Sequence, residues 1–90
     1  MKISEQFILR KIAQEWLLIP VGEAAIRVPG LIALSESGGM LYEMLQSGAA
    51  REDLIRALTE QYDVSAADAA RDTDEFLEQM RQLKILEEVT

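Results

Sequence analysis

The sequence predicts one compact α+β domain, a small antiparallel sheet followed by three helices in the order β-β-β-α-α-α. Three observations carry this. Up to position 34 the apolar residues fall in short runs broken by turn signals, as in strands. From Ser35 onward they recur at three- and four-residue spacing, as on one face of a helix. Between the two regimes, Pro29-Gly30 opens the run Leu31, Ile32, Ala33, Leu34, which passes straight into a helix-capping serine.

The elements follow in order. Residues 7–13 put Ile8, Arg10 and Ile12 on one side and Phe7, Leu9 and Lys11 on the other. Neither side is cleanly apolar, which suits a strand at the rim of a small sheet. Gln14-Glu15 is the expected tight turn, although it lacks an Asn-Gly or Asp-Gly signature. Residues 16–21, from Trp16 to Val21, form a nearly unbroken apolar run, the pattern of a strand covered on both faces. Pro20 cannot donate to a ladder and belongs at its end. Residues 24–28 read as an extended arm or, failing that, as a strand that hairpins through Pro29-Gly30 onto residues 31–34. Pro then Gly fits the central positions of a type II turn.

Ser35 or Ser37 caps the first helix, Leu41, Met44 and Leu45 make its apolar stripe, and Gly48 stops it. The second helix follows Ala49-Ala50 and carries Leu54, Ile55, Leu58 and Tyr62 on one face, with Asp53 suited to its N-terminal dipole. The third and longest begins at the capping-box-like Ser65-Ala66-Ala67-Asp68. Its Ala69, Ala70, Thr73, Phe76, Leu77, Met80 and Leu83 cover an arc of roughly 140°, wider than one helix–helix contact requires. Ile85 and Leu86 continue the apolar character, and residues 87–90 are expected to fray.

Composition narrows the function. Ninety residues, expected as a single domain over residues 1–90, suffice for one core. The absence of cysteine excludes disulfides, thiolate metal sites and a cysteine nucleophile. The absence of histidine removes the usual general base and most transition-metal sites, so a self-sufficient enzyme is not expected. The net charge is −7, and residues 35–90 hold five Lys/Arg against thirteen Asp/Glu. Such a field repels phosphate backbones, so no nucleic acid is expected. No apolar stretch approaches the ~20 residues of a membrane span, and no signal peptide opens the chain, which is expected to be cytoplasmic.

No residue announces a reaction. Asp68, Asp72 and Glu75 share a face of the third helix, but without loop-borne oxygen ligands they read as a solvated acidic face rather than a metal site. Ser35 and Ser37 lack a neighbouring base and read as caps. Gly38-Gly39 is not followed by Gly-Lys-Ser/Thr, so it serves close backbone packing rather than phosphate binding. Trp16 reads as core, and Arg10, Lys11 and Arg27 as scattered surface charge. The remaining feature is geometric: a small sheet with an available edge beside a helix with a wide apolar arc.

This pattern resembles the PqqD family. The carrying residues are Ile12-Ala13, the apolar residues 16–21, and Gly30-Leu31-Ile32-Ala33-Leu34 entering a helix. Gly39, Tyr42 and Leu45 before Gly48 follow, then Leu54, Leu58 and Tyr62-Asp63, and finally Asp72, Phe76-Leu77, Leu83 and Ile85-Leu86. The resemblance spans roughly residues 6–87. Leu34-Ser35 stands where the family usually has Leu-Asn, and Ala50 where it often has Thr. The resemblance implies a winged-helix-like domain that binds the leader of a ribosomally made precursor peptide and presents it to a modifying enzyme, such as a radical-SAM protein in pyrroloquinoline quinone synthesis. It implies no cofactor and no catalytic residue. It places the leader as an added strand on the edge of Leu31, Ile32, Ala33 and Leu34, against a wall of Ala69, Asp72, Thr73, Phe76 and Met80. Strand addition takes affinity from backbone hydrogen bonds and specificity from side-chain pockets. The alternative is a winged-helix transcription regulator with a helix in the major groove, which the charge opposes. An edge used only for homodimerisation is a third reading, so the chain is expected as a monomer or a homodimer.

Overall fold

The computed structural model describes residues 2–87. Its central unit is a three-stranded antiparallel sheet of β2 (Phe7–Ile12), β3 (Glu15–Pro20) and β4 (Ile32–Leu34), in that spatial order. A two-stranded sheet of β1 (Lys2–Ile3) and β5 (Leu86–Glu87) joins the two ends of the described chain. Between β3 and β4 lies a short helix, α1 (Glu23–Arg27), and after β4 come α2 (Glu36–Gln46), α3 (Arg51–Gln61) and α4 (Ala66–Gln82). The strands-then-helices plan is the one the sequence predicts.

The β2–β3 hairpin turns one residue earlier than expected. Ala13 and Gln14 form the two-residue loop with φ of 51° and 68°, and Glu15 pairs with Ile12 inside the strand. Two positive φ values are what a right-handed twist asks of a two-residue loop. The twist of the paired strands overrides the local preference of Ala and Gln. In register, Phe7, Leu9, Leu18, Ile32 and Leu34 share one face, and Phe7 and Leu18 are buried there against the helices.

Residues 24–28 are neither arm nor strand, because most of them form α1. Gly22, at φ 60°, turns the chain, Ala24 enters the core, and the Ala24 N–H donates to Gln6 Oε1 at 2.9 Å. At the other end the Arg27 guanidinium donates to the Leu83 carbonyl at 2.8 Å. Both anchors are distant in sequence, so local propensity carries no sign of them. The β1–β5 pair was likewise not expected. It is continued by Ser4 N–H donating to the Ile85 carbonyl at 2.6 Å. Glu87 is thus in a strand rather than frayed, and the fraying expected of residues 88–90 lies outside the described residues.

Ser35 caps α2, accepting from Gly38 N–H at 3.0 Å, and Ser65 caps α4, accepting from Asp68 N–H at 3.1 Å. Ala50 gives α3 no side-chain cap, but Asp53 accepts its N–H at 2.9 Å. Arg51 grips Asp74 of α4 through two hydrogen bonds of 2.7 and 2.9 Å. That grip holds the Asp74 carboxyl below the usual carboxylate range. Leu41, Tyr42 and Leu45 of α2, Leu54 and Leu58 of α3, and Ala69, Phe76, Leu77 and Met80 of α4 complete one buried cluster with the inner face of the sheet.

Candidate functional site

The sheet ends at β4, and among the described residues no strand pairs with its far side. Which backbone groups are free there follows from the hairpin. Residues flanking a two-residue β-turn form a hydrogen-bonded pair, and such pairs alternate with non-bonded ones. Ile12–Glu15, Arg10–Leu17 and Ile8–Ile19 are therefore the bonded pairs of β2 and β3. Two observations agree. Val21 N–H donates to the Gln6 carbonyl at 2.8 Å, continuing the same alternation. Pro20, which has no N–H, falls in a non-bonded pair with Phe7. Trp16 and Leu18 must then turn their polar groups toward β4, bonding Leu34 and Ile32. Ala33, opposite Leu17, sits in the non-bonded pair, so its N–H and C=O face the open edge.

Beside that edge lies a cleft. β4 packs on β3 and α2, and α4 makes no comparable packing with it. Gly38 closes the floor, where a methyl group would touch the Leu34 side chain at 3.5 Å and the Phe76 ring at 3.7 Å. A cavity of about 230 Å³ opens there, lined by Ser35, Ser37 and Gly38 at the start of α2, by Leu41 and Leu58, and by Asp72, Glu75, Phe76 and Gln79 of α4. Its floor is hydrocarbon and its rim is acidic and hydroxylic. Strand edge and cavity meet at Leu34-Ser35.

The expected site residues divide into three groups. Ile32 and Leu34 are half-buried in β4, Ala33 is exposed, and Leu31 precedes the strand with 58% of its surface open. Asp72 and Phe76 line the cavity, as the wall requires. Ala69, Thr73 and Met80 have no exposed surface and pack inward, so the unliganded chain offers no contact through them. Thr73 Oγ1 is buried without a hydrogen-bond partner among the described residues, as are Tyr42 Oη and Trp16 Nε1. Burial pushes the Tyr42 hydroxyl pKa above its ordinary value. Glu75 and Gln79 were missed as cavity residues. Their spacing from Asp72, three and seven positions along α4, was the available signal.

The Trp16 indole lies against α2 at Gly39, where a methyl group would come within 2.4 Å of the ring. Lys11 Nζ sits 5.1 Å from the ring centroid, in cation–π range. Asp68 and Asp72 both approach Arg71, at 3.2 and 3.8 Å. Among the described residues no cluster of carboxylates converges as a metal site would. Among the described residues no helix is long and apolar enough to cross a membrane.

The model of the family described as Coenzyme PQQ synthesis protein D (PqqD) matches residues 9–86. Among solved structures, the fold is similar to TbiB1 in complex with the TbiA(beta) leader peptide, with a TM-score of 0.82 and 23% identity over 100% of this chain and 99% of that one. It is also similar to a lasso peptide synthetase B1 complexed with the leader peptide, with a TM-score of 0.77 and 15% identity over 93% of each chain. No curated protein matches the sequence.

Proposed function

The chain belongs to the PqqD family, and from that premise we propose that it is a peptide-recognition module that captures the leader of a ribosomally made precursor as a fourth strand on β4. It holds the leader for a modifying enzyme and catalyses nothing itself. The observation that carries this reading is the outward-facing N–H and C=O of Ala33 beside an apolar-floored cleft. Two solved structures of similar fold each hold a leader peptide, and strand addition needs only backbone groups and pockets.

Register then sorts the leader's side chains. Residues directly opposite one another in adjacent strands share a face. The leader residue paired with Ala33 points to the outer side of the sheet. Its two neighbours, beside Ile32 and Leu34, point toward α4, with Phe76 below them and Asp72 and Glu75 at the rim. The peptide class is therefore one with apolar residues two apart.

Titration with the leader of the precursor encoded beside this gene tests the proposal. Saturable binding near micromolar is expected, about −8 kcal/mol. Absence of binding by every neighbouring precursor, together with unaided turnover of a substrate, would overturn it.

A further inference from the structure

The open edge of β4 fixes where a leader lies but not which way it runs. Within β4 only Ala33 turns its N–H and C=O outward, and one such residue serves either direction. An antiparallel neighbour takes both bonds through a single residue, whereas a parallel neighbour takes them as two slanted bonds. The backbone therefore leaves the direction open, and the two ends of the groove between β4 and α4 differ in charge.

The end beside Leu34 is acidic. Asp72 and Glu75 of α4 line the cavity next to Ser35, and no cation among the described residues lines it. Arg71 is drawn to Asp68 at 3.2 Å and to Asp72 at 3.8 Å, which leaves Glu75 with no cation in ion-pair range among the described residues. The start of α2 offers no substitute, because Ser35 already holds the Gly38 N–H and Glu36 adds another carboxylate. Two carboxylates on a helix are ordinarily a solvated surface. Here they overlook an unpaired strand edge whose occupant must send side chains into their cavity.

The end beside Ile32 is basic. α1 leads into that end of β4, and Arg27 reaches from it to the C-cap of α4, donating to the Leu83 carbonyl at 2.8 Å. A guanidinium has five N–H groups, and Arg27 is exposed with no carboxylate in ion-pair range among the described residues. Lys84, also exposed, follows directly. α4 sets the two ends apart. Leu83 lies eight positions beyond Glu75, about 12 Å along a helix, which an extended strand crosses in about four residues.

Resting on the leader-binding reading above, we propose that Glu75 and Arg27 select a leader of one charge order and so set its direction on β4. That leader carries a lysine or arginine beside Ser35 and an aspartate or glutamate about four residues away, beyond Ile32. Laid in this order it meets opposite charge at both ends, and reversed it meets like charge at both. Complementarity of this kind fixes register and rejects wrong partners more than it adds affinity.

The test titrates the leader encoded beside this gene against wild type, Glu75→Lys and Arg27→Glu. Two altered leaders are titrated alongside, one with the cation changed to Glu and one with the carboxylate changed to Lys. Both protein positions are exposed. Glu75→Lys is expected to weaken the unaltered leader about tenfold and to regain that loss with the leader whose cation is Glu. Arg27→Glu is expected to behave likewise toward the leader whose carboxylate is Lys. Should its circular dichroism show that losing the Leu83 bond loosens the fold, Glu75→Lys decides the matter alone. Direction is read separately. Trp16 is the one tryptophan of the chain and pairs with Leu34, so a nitroxide at the cation end of the leader is expected to quench its fluorescence, and one at the carboxylate end is not. Wild-type affinity in Glu75→Lys, a loss that the altered leader does not restore, or quenching from the carboxylate end would each overturn the proposal. So would a bound leader without that charge pair. If the wild-type chain binds no leader, the peptide-recognition reading itself fails, an outcome distinct from all of these.

Discussion

Gly39 is the residue on which the contact between sheet and helices turns. Its missing side chain lets α2 rest on the Trp16 ring, where a Cβ would fall within 2.4 Å of an indole carbon. Alanine is a better helix former by about 1 kcal/mol, but overpacking a filled contact costs about 1–3 kcal/mol, and the indole, held between Lys11 and α2, has little room to yield. Gly39→Ala is therefore expected to lower the urea midpoint, and an unchanged or raised midpoint would refute the close approach. Tyr42 tests the opposite case, a polar atom in the core. Its hydroxyl is buried and unpartnered, so Tyr42→Phe removes an unmet desolvation cost and is expected to stabilise by about 1 kcal/mol at neutral pH. The pH dependence has a definite sign. Burial raises the folded-state pKa, so the wild type keeps this stability below the unfolded pKa near 10 and loses it as pH rises toward the folded value, because the unfolded chain releases its proton first. Alkaline melts should show a steeper decline for wild type than for Tyr42→Phe. Gly39 was legible in the sequence as a close-packing glycine, but the partner it packs on was not, since nothing local joins it to Trp16.

β4 is the element on which the proposed strand addition turns, and its three residues differ in where their N–H groups point. Proline deletes an N–H. At Ile32 or Leu34 that N–H points at β3, as follows from their pairing with Leu18 and Trp16. At Ala33 it points outward. Ile32→Pro should therefore break an internal ladder bond and melt well below wild type, whereas Ala33→Pro should keep its far-UV circular dichroism and lose leader affinity by tenfold or more, about 1.4 kcal/mol. A folded Ala33→Pro chain that binds as tightly as wild type would exclude strand addition at this edge. The sequence alone left the parity open, because the register of residues 31–34 against β3 was unknown, and because the groups that β3 turns toward β4 are set by the hairpin turn, which sits at Ala13-Gln14 rather than at Gln14-Glu15. A one-residue difference there exchanges the inward and outward sets all along the sheet. α1 and the β1–β5 pair were illegible for a related reason. Gln6, Leu83 and Ile85 supply their anchoring bonds across long stretches of chain, and hydrophobic periodicity records only neighbours.

At the scale of the whole molecule, the order of elements and the separation of charge were both legible, because periodicity and composition are summed over many residues and survive local misreadings. Leu41, Leu45, Leu54 and Leu58 pack as the helical spacing predicts. The inward turn of Ala69, Thr73 and Met80 was not legible, since the wide apolar arc of α4 meets the core on one flank and the cleft on the other, and spacing does not say which. Charge separation yields the last prediction. A winged-helix regulator would present a basic helix to the major groove. Here α3 has two cations, and both are engaged: Arg51 grips Asp74 at 2.7 Å and Arg56 lies 3.6 Å from Asp53. Glu52 and Glu60 lie on the same helix, and residues 35–90 as a whole carry −8. Duplex affinity rests mainly on phosphate neutralisation, which this surface cannot supply. The protein is expected to leave promoter fragments from its own gene neighbourhood unshifted in gel retardation at ~150 mM salt, a condition where a true binder neutralising several phosphates retains its specific complex. A sequence-specific shift at that salt would return the regulator to contention, and it would then have to use a surface other than α3.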